Sequence, residues 1–203
     1  MALRAVVIGA GWASEGHTVA LRNAGVEVVA LCGRTPEPTR QRAAQLGIAD
    51  VRLDWRAALD ELRPDIVAIA TPAAPHREMA EYAAGRGCHI VCDKPLATNT
   101  ADARAMLAAV EGAGVKHGYA ATGRYAPAIL QTRLLLAQDA IGPVREIESY
   151  LHMDLPATGL PYSWINLLDQ GGGLLNNAFT HKLAQVLYVT QGIVVAAAGE
   201  ARQ

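Results

Sequence analysis

Three short stretches of this chain carry residues whose types and spacing could do chemistry. Gly9-Ala10-Gly11-Trp12-Ala13-Ser14 follows an apolar run and opens a helical one. That is the context in which a GxGxxG fingerprint rests a dinucleotide pyrophosphate on a helix N-terminus. Gly9 would make the tight turn and Gly11 would admit the phosphate, while Ser14 stands where a third glycine or an alanine brings helix and strand together. Cys92-Asp93-Lys94-Pro95 ends a later apolar run, and a lysine there can aim its ammonium at a substrate hydroxyl beside a nicotinamide. Gly171-Gly172-Gly173 precedes a helical stretch bearing Asn177 and His181, four apart and hence on one face. His181 could act as a general base because imidazole changes charge near neutral pH, and Asn177 could orient it or hydrogen-bond a substrate.

Two further sites belong to the cofactor question. After the second apolar run, where a NAD-specific protein would place Asp or Glu against the ribose hydroxyls, the chain reads Cys32-Gly33-Arg34-Thr35. Arg34 and the Thr35 hydroxyl suit a 2′-phosphate, since guanidinium matches phosphate oxygens bidentately and no carboxylate repels the charge. NADP is therefore the expected dinucleotide, with NAD possible. Thr71-Pro72-Ala73-Ala74-Pro75-His76 also ends a strand-like run; Thr71 and Pro72 are expected at the cofactor, and His76 either touches it or caps the next helix. The six histidines are scattered and form no ligand-spaced cluster with carboxylates, so no metal site is expected.

The elements that must position these residues alternate. Ala5 to Ile8, Val26 to Leu31, Ile66 to Ala70 and His89 to Cys92 read as buried strands, with Val115 to Tyr119 as a further one. Ala13 to Asn23, Glu37 to Leu46, Trp55 to Leu62, His76 to Ala84 and Ala101 to Val110 read as helices between them. The βαβ order predicts an N-terminal doubly wound parallel sheet. Asp54 can cap the helix opening at Trp55, Pro64 blocks its continuation, and Gly25 and Gly47 end two others. A boundary near Thr122 divides residues 1–122 from 123–203, and a helix should run to about Gln138. Val144 to Tyr150 alternates apolar and polar and is expected to start a second, antiparallel sheet, with Ile193 to Ala198 as another strand. That second domain reads as cut short.

Composition narrows the function classes. Of 203 residues, 51% are hydrophobic and only one is Phe, which favours Ala- and Val-rich helices packed closely on a sheet. Eighteen basic against nineteen acidic residues leave a net charge of -1, with no diffuse positive field for nucleic acid. No apolar run approaches the ~18 residues needed to span a bilayer. Cys32, Cys88 and Cys92 lack CxxC spacing, which argues against a disulfide framework or structural zinc and for a reducing, cytoplasmic setting.

Taken together, the motifs resemble the Gfo/Idh/MocA family of nicotinamide-dependent oxidoreductases. The markers are Gly9 to Ser14, the TP-x-x-x-H run Thr71 to His76, the EKP-like Asp93-Lys94-Pro95, Arg124-Tyr125 with Pro127, Ile141 to Val144, and the glycines before His181. The resemblance implies a Rossmann domain followed by an open-faced α/β domain, here incomplete, that often mediates homo-oligomers. It implies a sugar-like or cyclic polyol substrate, with Lys94 and His181 at the positions of the catalytic lysine and histidine. In that scheme His181 takes the hydroxyl proton while hydride passes to the nicotinamide, and Lys94 stabilises the developing alkoxide. Two substitutions depart from the pattern: Asn177 stands where an aspartate is usual, and Asp93 where a glutamate is. An amide cannot accept the proton or balance an imidazolium by charge. The alternatives are a non-catalytic dinucleotide-binding regulator and an NAD-dependent glycosidase on the same scaffold.

Overall fold

The computed structural model describes residues 2–152, 163–173 and 175–200. They form two compact units, Met1–Ala120 with Tyr162–Asn177, and Ala121–Pro161 with Ala178–Gln203.

In the first unit a run of β-branched and small residues, bounded by glycine or proline, repeatedly gives way to an Ala-rich helix. The resulting order is β1 (Arg4–Ile8), α1 (Ala13–Asn23), β2 (Glu27–Cys32), α2 (Pro36–Leu46), β3 (Asp50–Arg52), α3 (Trp55–Leu62), β4 (Ile66–Ile69), α4 (His76–Ala84), β5 (His89–Cys92), α5 (Thr100–Gly112) and β6 (His117–Tyr119). All six strands lie parallel in the order β3-β2-β1-β4-β5-β6. The strand sequence reverses direction between β1 and β4, and the crevice outside their carboxyl ends is where such sheets take ligands.

Strand alternation explains why both faces are dry. Val6, Ile8, Val67 and Ile69 point to one side, where they pack with Leu59, Met79, Ala80, Ala83, Met106 and Val110. Ala5, Val7, Leu31 and Ala68 point to the other and meet Leu21, Ala43 and Leu46. Each fully buried Val, Leu or Ile contributes about 1.5–3 kcal/mol relative to exposure. Alanine on sheet and helix alike lets the layers approach closely, as the shortage of phenylalanine predicts.

Local chemistry sets the element ends. The Asp54 carboxylate accepts from the backbone N–H groups of Arg56 and Ala57 at 2.9 and 3.2 Å, capping α3. Gly47 closes α2 in the left-handed region at φ +62°. Pro36 starts α2 with its ring at a position whose N–H would have no helical partner.

The second unit, over its described residues, consists of a 3-10 turn Thr122–Tyr125, α6 (Pro127–Ala137) and α7 (Thr180–Thr190). Tyr125 meets Tyr188 edge to face at 5.6 Å, and the Arg133 guanidinium lies 4.2 Å over the Tyr188 ring. Among the described residues, the segments expected as strands, Val144 to Tyr150 and Ile193 to Ala198, join no ladder, and Val144, Ile147, Tyr150, Ile193 and Val195 are exposed. Alternation supplies a strand with a face but not with a neighbour to pair with. Among the described residues no helix is long and apolar enough to cross a membrane.

Candidate active site

The fingerprint forms the floor of a cleft of about 990 Å³ in the first unit. Gly9 adopts φ +117°, and a Cβ there would lie 2.3 Å from the Ala70 carbonyl oxygen, so only glycine lets β1 turn this close to the end of β4. The Gly9 N–H donates to the Cys32 carbonyl oxygen at 2.8 Å, continuing the sheet into the turn. At Gly11 a Cβ would meet nothing within 4 Å, so the backbone opens onto the cleft at the N-terminus of α1. Ser14 is fully buried and donates its hydroxyl to the Gly11 carbonyl oxygen at 2.6 Å, filling the third-glycine position with a hydrogen bond. Trp12 is 83% exposed at the rim. These features fit a dinucleotide: bare backbone at a helix N-terminus suits a pyrophosphate, and that terminus has no side-chain cap competing for it.

Gly9, Gly11, Trp12, Ala13, Arg34, Thr35, Thr71, Pro72, Asp93 and Lys94 all line this one cleft. Arg34 and Thr35 lie exposed at its β2 end, where Gly33 is required because a Cβ would strike the Thr39 side chain at 2.1 Å. Asp54 also borders that end, with its Oδ1 committed to the cap of α3.

His76 sits on the structural side of its two expected roles. It is wholly buried and absent from the cleft lining. Its Nε2 lies 2.9 Å from the Thr71 carbonyl oxygen, and its Nδ1 lies 3.1 Å from that of Leu96 and 3.2 Å from Cys92 Sγ. Burial pulls its pKa down, against the raising effect of the two carbonyl contacts. The ring therefore braces the loops after β4 and β5 from beneath. Burial also pushes the Cys32 thiol up to about 12 and raises that of Cys92, so neither is a thiolate nucleophile near neutral pH.

The loop after β5 carries the charges. The Lys94–Pro95 peptide bond is cis. The Lys94 ammonium donates to Asn177 Oδ1, and the Lys94 N–H donates to Asp93 Oδ1 at 2.6 Å. The other Asp93 oxygen lies 3.6 Å from His17 Nε2. Burial works against ionisation of Asp93, but the His17 contact, the Lys94 N–H and the Lys94 charge together hold its carboxyl below the usual range. Asn177 sits in a π-helical turn, Leu175–Phe179, ahead of α7. His181 lies in the first turn of α7 in the second unit, where a Cβ on Gly123 would stand 3.6 Å from its Nδ1. Among the described residues no group of histidine, cysteine and carboxylate side chains could hold a metal.

Among the lining residues that sequence reasoning does not single out are Trp164 and Gln170. They arrive on 3-10 turns, Trp164–Asn166 and Leu168–Gln170, that lack any apolar period. The only signal for them is the glycine run. At Gly171 a Cβ would collide with Ala73 at 2.6 Å, and at Gly172 with the carbonyl oxygens of Trp164 and Ile165 at 2.5 Å. The glycines pack this segment on itself and against the loop after β4, beyond making a turn before a helix.

A doubly wound parallel sheet with a glycine fingerprint at its switch point defines a Rossmann-type protein. The family described as "Oxidoreductase family, NAD-binding Rossmann fold" matches residues 3–120, and the chain belongs to this Gfo/Idh/MocA family. D-apiose dehydrogenase of Paraburkholderia graminis is 40% identical over 140 residues, which is 68% of this chain and 37% of that protein. An oxidoreductase domain protein from Kribbella flavida superposes with a TM-score of 0.88 at 32% identity, over 94% of this chain and 54% of the other. Levoglucosan dehydrogenase in complex with NADH gives 0.83 at 26% identity, over 93% and 54%. The chain thus spans about half the length of these relatives, or less.

Proposed function

We propose that this chain is the cofactor-binding part, with a portion of the substrate domain, of a nicotinamide-dependent oxidoreductase acting on a sugar-like or cyclic polyol substrate. In this reading residues 1–122 bind the dinucleotide and 123–203 belong to the substrate and oligomerisation domain of a cytoplasmic homo-oligomer. The observation that carries it is the hydrogen bond from Lys94 to Asn177 on the rim of a cleft floored by the fingerprint. Support also comes from the relatives above, named D-apiose dehydrogenase and levoglucosan dehydrogenase.

Gly9, Gly11, Trp12 and Ala13 would hold the pyrophosphate, with Thr71, Pro72 and Asp93 along the nicotinamide side. Arg34 and Thr35 would take a 2′-phosphate, which makes NADP the preferred dinucleotide. When bound, the nicotinamide supplies the hydride acceptor or donor. His181 takes up the substrate hydroxyl proton on a ring nitrogen. The Lys94 ammonium stabilises the oxyanion that develops, and Asn177 Oδ1 holds that ammonium in place without neutralising it. A non-catalytic dinucleotide-binding regulator is the second reading, favoured by the amide at position 177.

The test is titration of the purified chain with NADPH and NADH, followed by energy transfer from its tryptophans, then turnover on a panel of sugars and polyols. Tight NADPH-preferring binding with turnover is expected. Binding without turnover on any substrate favours the regulator, and absence of binding in a folded sample removes the enzyme reading for this chain.

A further inference from the structure

Lys94 acts through its ammonium, but the position of that ammonium is set by the backbone from which it extends. The Lys94 N–H is held by Asp93 Oδ1 at 2.6 Å. Asp93 is in turn held on its other oxygen, 3.6 Å from Nε2 of His17, a residue of α1 one turn beyond the fingerprint. Both side chains are shielded, at 9% exposure for His17 and 14% for Asp93. His17 does not line the cleft. It is one of the buried residues of α1, with Ser14, Thr18 and Leu21.

A short carboxylate with one oxygen tied to a rigid helix and the other to the next residue's N–H has little rotational freedom. Side chains that orient a catalytic group in this way are as important to geometry as the group itself. A carboxylate in such surroundings is retained because its partners are in place, since an unpaired buried charge is costly. Asp93 has both partners, the Lys94 N–H hydrogen-bonded to one oxygen and the His17 ring 3.6 Å from the other.

We propose that His17 is a positioning residue for Lys94, acting through Asp93 to fix the loop from which the ammonium reaches Asn177. The proposal rests on the oxidoreductase reading for its kinetic consequence and on geometry alone for its structural one. A residue that only stabilised the fold would alter Tm and the amount of folded protein, and would leave the environment of Lys94 and the rate per folded molecule unchanged.

The chain has three lysines, Lys94, Lys116 and Lys182, so reductive ¹³C-methylation gives a small set of NMR signals that a Lys94→Arg variant assigns. In folded His17→Leu the Lys94 signal is expected to move toward those of the other two lysines. Turnover should fall about ten- to a hundredfold in kcat, with KM and NADPH affinity within about twofold. His17→Gln, which keeps a donor on a side chain of similar reach, should restore the signal and most of kcat. A Lys94 signal unmoved in folded His17→Leu overturns the proposal, as does a loss confined to Tm or to NADPH affinity. If His17→Leu does not fold, the same comparison is made between His17→Gln and Asp93→Asn: only Asp93→Asn should displace the Lys94 signal, and equal signals overturn the proposal. If the unaltered chain turns over no substrate, the oxidoreductase reading fails while the NMR comparison still decides the positioning role.

Discussion

The Lys94 ammonium donates a hydrogen bond to Asn177 Oδ1, a residue 83 positions further along the chain. An amide satisfies one ammonium proton without cancelling its charge, so in the proposed reaction Lys94 would keep its electrostatic effect on a developing oxyanion. Replacing Lys94 by alanine should therefore lower turnover by about 10²- to 10³-fold, the scale of losing one oxyanion donor. Cofactor affinity should change little, because the fingerprint lies on a different loop. Steady-state kinetics beside a tryptophan-quenching titration check both halves; unchanged turnover would sink the assignment.

Arg34 lies exposed on the cleft wall after β2, where no carboxylate follows the strand. If its guanidinium meets a 2′-phosphate, Arg34→Ala should weaken NADPH by roughly 1–3 kcal/mol more than NADH, the range for a charge-assisted contact. The difference should shrink as salt is raised, because the site is open to screening. Equal losses for the two dinucleotides would mean that Arg34 does not meet the phosphate.

The parts of the fold with a local chemical marker can be read from sequence. The limits of α1, α3 and α4 coincide with the expected ones, and the Asp54 cap and the Gly47 end lie where residue type places them. β3 is different: Asp50–Arg52 holds one apolar residue, and it is a strand because it pairs with Ala30 to Cys32. Such an element is stabilised by its neighbour, which a local window does not contain. In the site, the loops after β1, β2, β4 and β5 are legible because ligand-facing residues follow strands. That rule does not say which way a side chain turns, and His76, which could have touched the cofactor or capped the next helix, turns inward to the carbonyls of Thr71 and Leu96. Trp164 and Gln170 are brought in by glycine packing rather than by any period, so nothing in their own stretch announces them.

Gly9 and Gly11 should fail in different ways when changed to alanine. At Gly9 the new Cβ would meet backbone atoms of Ala70 at 2.3 and 2.6 Å with φ at +117°, so β1 and β4 must part. Gly9→Ala should cost at least about 2 kcal/mol of stability as well as dinucleotide binding. At Gly11 there is room for the methyl, so Gly11→Ala should keep its Tm within a few degrees while losing affinity, because the methyl stands where phosphate would approach. Thermal unfolding and NADPH titration of the two variants separate the effects. A Gly11→Ala protein that binds normally would remove the pyrophosphate from this turn.

Asp93 also makes a pH prediction, and its sign follows from the direction of its shift. Its carboxyl is held below the ordinary 3.8, so the folded state binds its proton less readily than the unfolded chain. The stabilisation is complete above the unfolded value and is lost as pH falls through the folded one. Asp93→Asn should accordingly be less stable than the unaltered chain at pH 7, by about 1.5–3 kcal/mol for hydrogen bonds to a charged group. That gap should close progressively below about pH 4. His76, whose pKa burial also lowers, acts in the same direction but from about 6.5 downward, since its neutral form is the one the fold favours. Both proteins contain His76, so what it adds to the difference between their denaturant midpoints is only the effect of the Asp93 charge, which raises its pKa. A gap that stayed constant from pH 7 to pH 3 would mean that Asp93 gains nothing from its charge in the folded state.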